Sequence, residues 1–238
     1  MVLAAVATFV GASVQSATGF GFALVLSPAM FAVFDRYEAI TALLALGLAI
    51  NLLVLADSGA RSMDWRGLAP ALYAALPGLG LGALALALVS KPGLQLVVGA
   101  AVLAAGAWQL GGARPLAIPA WAAGFMSGVL TTSISVSGPP LVLWLEARGV
   151  RPGELRAALA ACFLALNLAG GALLLVAGGT GRAISPGTLG WLLVVLAAGH
   201  FAGARAFRRL PADRFRVVVL ALVCAAGAAS LAAGILGL

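Results

Sequence analysis

Charged residues punctuate the chain and leave eight uncharged stretches: 1–34, 39–56, 67–90, 92–113, 115–145, 157–181, 183–204 and 217–238. Each is near or above the roughly 20 apolar residues that a spanning helix needs. Polar and apolar residues do not alternate within them, as they would in lipid-facing barrel strands. A backbone in hydrocarbon must pair with itself, so the stretches predict helices. The pattern predicts an all-α polytopic membrane protein with about eight transmembrane segments.

Composition agrees. Of 238 residues, 63% are hydrophobic, only 9% are charged, and the net charge is +7. Soluble domains carry about a quarter charged residues, so a water-soluble globule is excluded, as are disorder, a disulfide scaffold and a coiled coil. The first stretch has no basic residue before its apolar run, unlike a signal peptide, and is read as part of the mature fold. A pI near 11 would suggest nucleic acid for a soluble chain; here the basic loops orient the protein in the bilayer. If all eight stretches cross once, Arg36, Lys91, Arg148, Arg151, Arg156, Arg205, Arg208, Arg209, Arg214 and Arg216 fall on one side. Arg61, Arg66, Arg114 and Arg182 fall on the other. The first side is then cytoplasmic and both termini face outward. Trp65, Trp108, Trp121, Trp144 and Trp191 lie near segment ends, as interfacial anchors do.

Stretches 1 and 5 are the longest, and each has a helix-hostile centre: Gln15–Phe22 in the first and Thr131–Pro140 in the second. An offset of 117 places Thr18 on Ser135 and Gly21 on Gly138, and one of 116 places Glu38 on Glu154 and Asn51 on Asn167. Gly78 and Gly82 resemble Gly199 and Gly203. The chain thus reads as two four-segment repeats, 1–113 and 114–238, forming one membrane domain. Duplicated halves with matching broken segments point to a transporter site at the breaks. Gly and Pro free backbone groups, and at membrane depth these are tolerated only in protein or beside a wet cavity. Each long stretch either crosses once as a broken helix, giving parallel halves, or dips in as a re-entrant hairpin, giving inverted halves. Basic residues divide 10 to 4 or 11 to 3, which fits both. Single broken spans are the working topology.

The run GFGFALVLSP at 19–28 and the run GFMSGVLTTSISVSGPPLVLWL at 124–145 resemble the paired signatures of the sulfite exporter TauE/SafE family of membrane permeases. The resemblance covers nearly the whole chain. It implies a polytopic inner-membrane transporter of sulfite, sulfonates, sulfoacetate or a related organic anion.

No basic residue lies inside stretch 1 or 5, so an anion would be held by helix N-termini and hydroxyls. The candidate binding residues are Gln15, Thr18, Gly19 and Gly21 in the first half. In the second they are Thr131, Thr132, Ser133, Ser135, Ser137, Gly138 and Pro139. Asn51 and Asn167 join them as matched amides. The bland alternatives are close helix packing for the glycines, back-bonding for the hydroxyls and interhelical glue for the amides. His200 is a candidate proton-coupling residue because histidine is the side chain whose ordinary charge change falls near neutral pH; an interfacial or packing role is the alternative. Asp57 and Glu146 read as solvated ends. Cys162 and Cys224 have no metal-ligand spacing, and no metal or cofactor is expected. The leading function is an alternating-access permease for a small anion. An anion channel, an intramembrane enzyme and a structural membrane subunit are the alternatives.

Overall fold

The computed structural model describes residues 1–58, 65–111, 118–177, 184–207, 224–225 and 227–237. Helices α1 (Val2–Thr18), α2 (Phe22–Val33), α3 (Arg36–Ser58), α4 (Trp65–Leu88) and α5 (Lys91–Gly111) come from the first half. Helices α6 (Ala120–Ile134), α7 (Gly138–Ala147), α8 (Pro152–Val176) and α9 (Pro186–Phe207) follow, and then α10 (Gly227–Leu236). Described residues include no strand.

Four helices are long and apolar enough to cross a membrane: Arg36–Ser58, Trp65–Leu88, Gly153–Val176 and Pro186–Arg205. Of the eight expected spans, stretches 1 and 5 are each split into two shorter helices. α3 and α8 are the most buried of the long four. Glu38 and Glu154 lie in their first turns, where a carboxylate complements the helix dipole. One core cluster joins α1, α2 and α3 to parts of α5 and α9. A second joins α4, α6, α7 and α8.

The split stretches do not continue in a line. A Cβ placed on Gly11 would lie 2.9 Å from the Phe22 carbonyl oxygen, and one on Gly21 would lie 2.9 Å from the Val14 side chain. In a continuous helix, residues eleven apart would stand roughly 16 Å from one another. α2 therefore folds back along α1. Ser127 repeats this by donating to the Ser137 carbonyl at 2.9 Å, so α7 folds back along α6. Both long stretches are helical hairpins, which replaces the working topology of single broken spans.

Cross-contacts show which helix ends lie together. Arg36 donates to the Val89 carbonyl at 2.8 Å, joining the start of α3 to the end of α4. Arg148 donates to the Gly67 carbonyl at 3.3 Å, joining the end of α7 to the start of α4. Trp65, Trp121 and Trp191 are exposed, as the anchor reading requires. Trp144 departs from it: the ring is buried and carries the Arg148 guanidinium over its face at 5.2 Å. The Trp108 side chain lies outside the described residues, as do Arg61, Arg114, Arg182 and the basic run Arg208, Arg209, Arg214 and Arg216.

Glycines set the closest helix contacts. A Cβ on Gly78 or Gly82 of α4 would collide with the Phe125 or Val129 carbonyl of α6. One on Gly199 or Gly203 of α9 would collide with the Phe9 or Ser13 carbonyl of α1. Small residues let membrane helices approach in this way. Gly80 has nothing within 4 Å of the position its Cβ would take. Gly80→Ala is therefore expected to be neutral or to stabilise by up to about 1 kcal/mol through helix propensity, read as an unchanged or raised Tm in detergent.

Candidate functional site

Both breaks are built by left-handed residues. Gly19 (φ 86°) closes α1 with its amide on the Gln15 carbonyl at 2.7 Å, and Gly21 (φ 103°) precedes α2. Ser135 (φ 59°) closes α6, its amide bonded to the Thr131 carbonyl at 3.0 Å. Left-handed backbone costs an ordinary residue roughly 1–2 kcal/mol, so Ser135 is the strained member of the set. Gly19 and Ser135 are 116 residues apart, the spacing of Asn51 and Asn167. This moves by one residue the pairing expected from the 117 offset. α7 restarts at Gly138, so Pro139 and Pro140 form its first turn, where a missing N–H costs nothing.

The two breaks meet around a cavity of about 30 Å³. Seven of the expected binding residues line it: Gln15, Gly21, Asn51, Ser135, Ser137, Gly138 and Asn167. The remaining lining is apolar or backbone: Phe22, Ala23, Leu24, Leu43, Gly47, Val136 and Phe163. Such a volume holds a few water-sized centres, which suits a compact solute.

The polar lining falls into tied and untied groups. Gln15 donates to the Asn51 side-chain oxygen at 2.8 Å and accepts from the Phe22 amide at 3.1 Å. Asn51 donates to the Gly47 carbonyl at 2.7 Å. These two amides knit α1, α2 and α3 together. Among the described residues, the side chains of Ser135, Ser137 and Asn167 have no hydrogen-bond partner. The Ala23 and Leu24 amides open the first turn of α2 at the cavity wall. Hydroxyls, an amide and a helix N-terminus thus converge on one space, with no cation or carboxylate among the lining residues.

Six other expected binding residues are not in the lining. Thr18 donates to the Val14 and Phe20 carbonyls at 2.9 and 2.6 Å. Gly19 lies against Arg156. Thr131 and Ser133 donate to the carbonyls four residues back at 2.6 Å. Thr132 donates to the Leu79 carbonyl at 2.7 Å. Pro139 serves the turn described above. Thr18, Thr131 and Ser133 follow the back-bonding pattern that competes with solute contact, and Thr132 bonds across the contact with α4.

His200 belongs to a separate cluster. Its Nδ1 lies 2.6 Å from the Ser16 hydroxyl and its Nε2 lies 3.0 Å from the Asp57 carboxylate. His200 and Ser16 are buried, whereas Asp57 is 48% exposed. Asp57 is thus not merely a solvated helix end.

With this geometry in place, comparison with known proteins fixes the lineage. The family model for the sulfite exporter TauE/SafE matches residues 3–230. The chain belongs to the sulfite exporter TauE/SafE family. One curated TauE relative, the probable sulfite/organosulfonate exporter TauE of Cupriavidus necator, is 28% identical over 167 residues. The match covers 64% of this chain and 63% of the relative, so the chain spans a little under two thirds of that protein's length. No solved structure matches. Membership and the long apolar helices together make this TauE/SafE chain an integral membrane protein. Phe22, Leu43 and Phe163, which confine its cavity, carry no signal in an apolar sequence. Ser16 carries no signal either, since its partner lies 184 residues away.

Proposed function

We propose that this chain is a permease that carries a small anion, sulfite or a short sulfonate, through alternating access to the cavity between the breaks. The observation that carries this reading is the set of untied donors at that cavity: Ser135, Ser137, Asn167 and the first turn of α2. A helix N-terminus with free N–H groups attracts negative charge. Neutral donors hold an anion without the deep well that a buried Arg would make, so release stays fast. The restricted volume favours a carrier over an open channel. Neither a metal nor a cofactor has a part in this mechanism.

The two halves, 1–113 and 114–238, are read as inverted repeats. Three correspondences support this: the fold-back of both hairpins, the matched glycine contacts of α4 with α6 and α9 with α1, and the shared 116-residue spacing. In this arrangement Arg36, Lys91 and Arg182 lie on one side and the other 11 of the 14 basic residues on the opposite side. The positive-inside rule makes the richer side cytoplasmic and places both termini outside. The family resemblance implies the inner membrane of a bacterium.

The test is flux into proteoliposomes for sulfite, thiosulfate, sulfate, a short sulfonate and an organic acid. Saturable flux of sulfite or the sulfonate, inhibited by the other, is the expected result. Folded protein that moves none of the five would overturn the reading.

A further inference from the structure

We propose that Asp57, His200 and Ser16 bind a proton together with the transported anion, an inference that rests on the permease reading and names its coupling ion. Three helices build the cluster: Ser16 comes from α1, Asp57 from α3 and His200 from α9. A carboxylate only accepts hydrogen bonds, so the Nε2 atom facing Asp57 at 3.0 Å carries a hydrogen. The Ser16 hydroxyl has one hydrogen and two nearby acceptors, His200 Nδ1 at 2.6 Å and the Ala12 carbonyl at 2.7 Å. Given to Nδ1, that hydrogen leaves the imidazole neutral, and the cluster carries the single negative charge of Asp57. Given to Ala12, it requires Nδ1 to bear its own hydrogen and donate to the Ser16 oxygen. The imidazole is then a cation, and the cluster is neutral. The two states differ by one proton and the turn of one hydroxyl. Every buried polar atom of the cluster is bonded in both, so a buried histidine can change charge here without repacking. The half-exposed carboxylate of Asp57 connects the cluster to water.

The cluster has polar and charged neighbours among the described residues. Ser13 and Ser16 of α1 contact α9 through Gly199 and His200. Arg156 of α8 acts electrostatically on Asp57, and Arg205 lies in the last turn of α9. Both are permanent cations.

The cluster is joined to the cavity by two short paths. Ser16 follows Gln15, which lines the cavity and bonds Asn51. Asp57 lies six residues beyond Asn51 on α3, roughly 9 Å along the helix axis. A net negative charge at that range opposes an incoming anion, and one added proton removes it. Proton and anion therefore bind with positive cooperativity, and the effect is reciprocal.

The chain has a single histidine, so histidine-selective isotope labelling gives one imidazole signal. The experiment follows it by NMR in nanodiscs over about pH 5 to 8, the range in which histidine changes charge, with and without a short alkanesulfonate. A sulfonate stays ionised across that range, so its own titration does not interfere. The expected result is a reversible titration whose midpoint falls in Asp57→Asn and rises on adding sulfonate. Sulfonate affinity should in turn strengthen on the order of tenfold from the basic to the acidic limit and lose that dependence in His200→Gln. A signal fixed in one state throughout overturns the proton site. Measured sulfonate binding of equal strength at both limits overturns the linkage. No sulfonate binding at either limit overturns sulfonate carriage and its linkage together, while the titration alone still decides the proton site.

Discussion

Replacing Ser137 by Leu is expected to abolish anion flux while leaving a folded protein. Ser137 stands between the left-handed cap of α6 and the first turn of α7, and its side chain faces a cavity of only about 30 Å³. A leucine side chain in that volume leaves no room for a solute. Ser137→Ala separates occlusion from the loss of a donor. A hydrogen bond to a charged group contributes about 1.5–3 kcal/mol, so the alanine variant should bind the anion about 10- to 100-fold more weakly. Ser135 makes a poorer test, because its φ of 59° adds backbone strain to any bulky replacement. Thr131→Val is the control. That hydroxyl bonds the Ser127 carbonyl and lies outside the cavity lining, so flux should remain within about twofold of wild type, its lost back-bond being worth little. Initial rates of labelled sulfonate uptake, with size-exclusion profiles for folding, measure all three variants. Wild-type flux in Ser137→Leu would remove the cavity from the transport path.

These variants also mark where sequence reasoning ran out. The helices and both breaks were legible, because charges delimit the apolar stretches and Gly and Pro interrupt them. The fold-back of α2 on α1 was not: the same Gly, Ser and Pro content suits a broken span or a hairpin. What decides is a tertiary contact, the approach of Gly11 to Phe22. Composition likewise grouped Thr131, Thr132 and Ser133 with Ser135 and Ser137. The first three lie within α6, and their hydrogens go to carbonyls of that helix for Thr131 and Ser133 and to the Leu79 carbonyl of α4 for Thr132. The last two sit where the helix has ended and no such carbonyl is in place. Asn51 and Asn167 were legible as a pair, but only the fold shows that Asn51 is tied to Gln15 and Gly47. The Asp57 contact was hidden because a carboxylate at a helix end normally faces water.

Gly78→Leu and Gly199→Leu are expected to cause large and comparable losses of folded protein. Gly78 of α4 abuts the Phe125 carbonyl of α6, and Gly199 of α9 abuts the Phe9 carbonyl of α1. Backbone lies on both sides of each contact, so a new side chain can be accommodated only by separating the helices. Overpacking a tight site costs about 1–3 kcal/mol and occasionally more. Leucine at a backbone-to-backbone contact belongs at the upper end. Lipid supplies no hydrophobic drive to close the gap again, because packing is what holds membrane helices together. Thermal unfolding in detergent should show a Tm depressed in both variants by a similar amount, against the neutral Gly80→Ala. Equal effects would support two equivalent tight pairs, α4 with α6 and α1 with α9, in keeping with the proposed repeat. They would also fit the proposed mechanism. A carrier needs bodies that stay rigid and a seam that yields, and the polar cavity lies away from both glycine contacts, where the two hairpin tips meet α3 and α8. A large loss in only one variant would argue against that equivalence and place the moving seam along the tolerant pair.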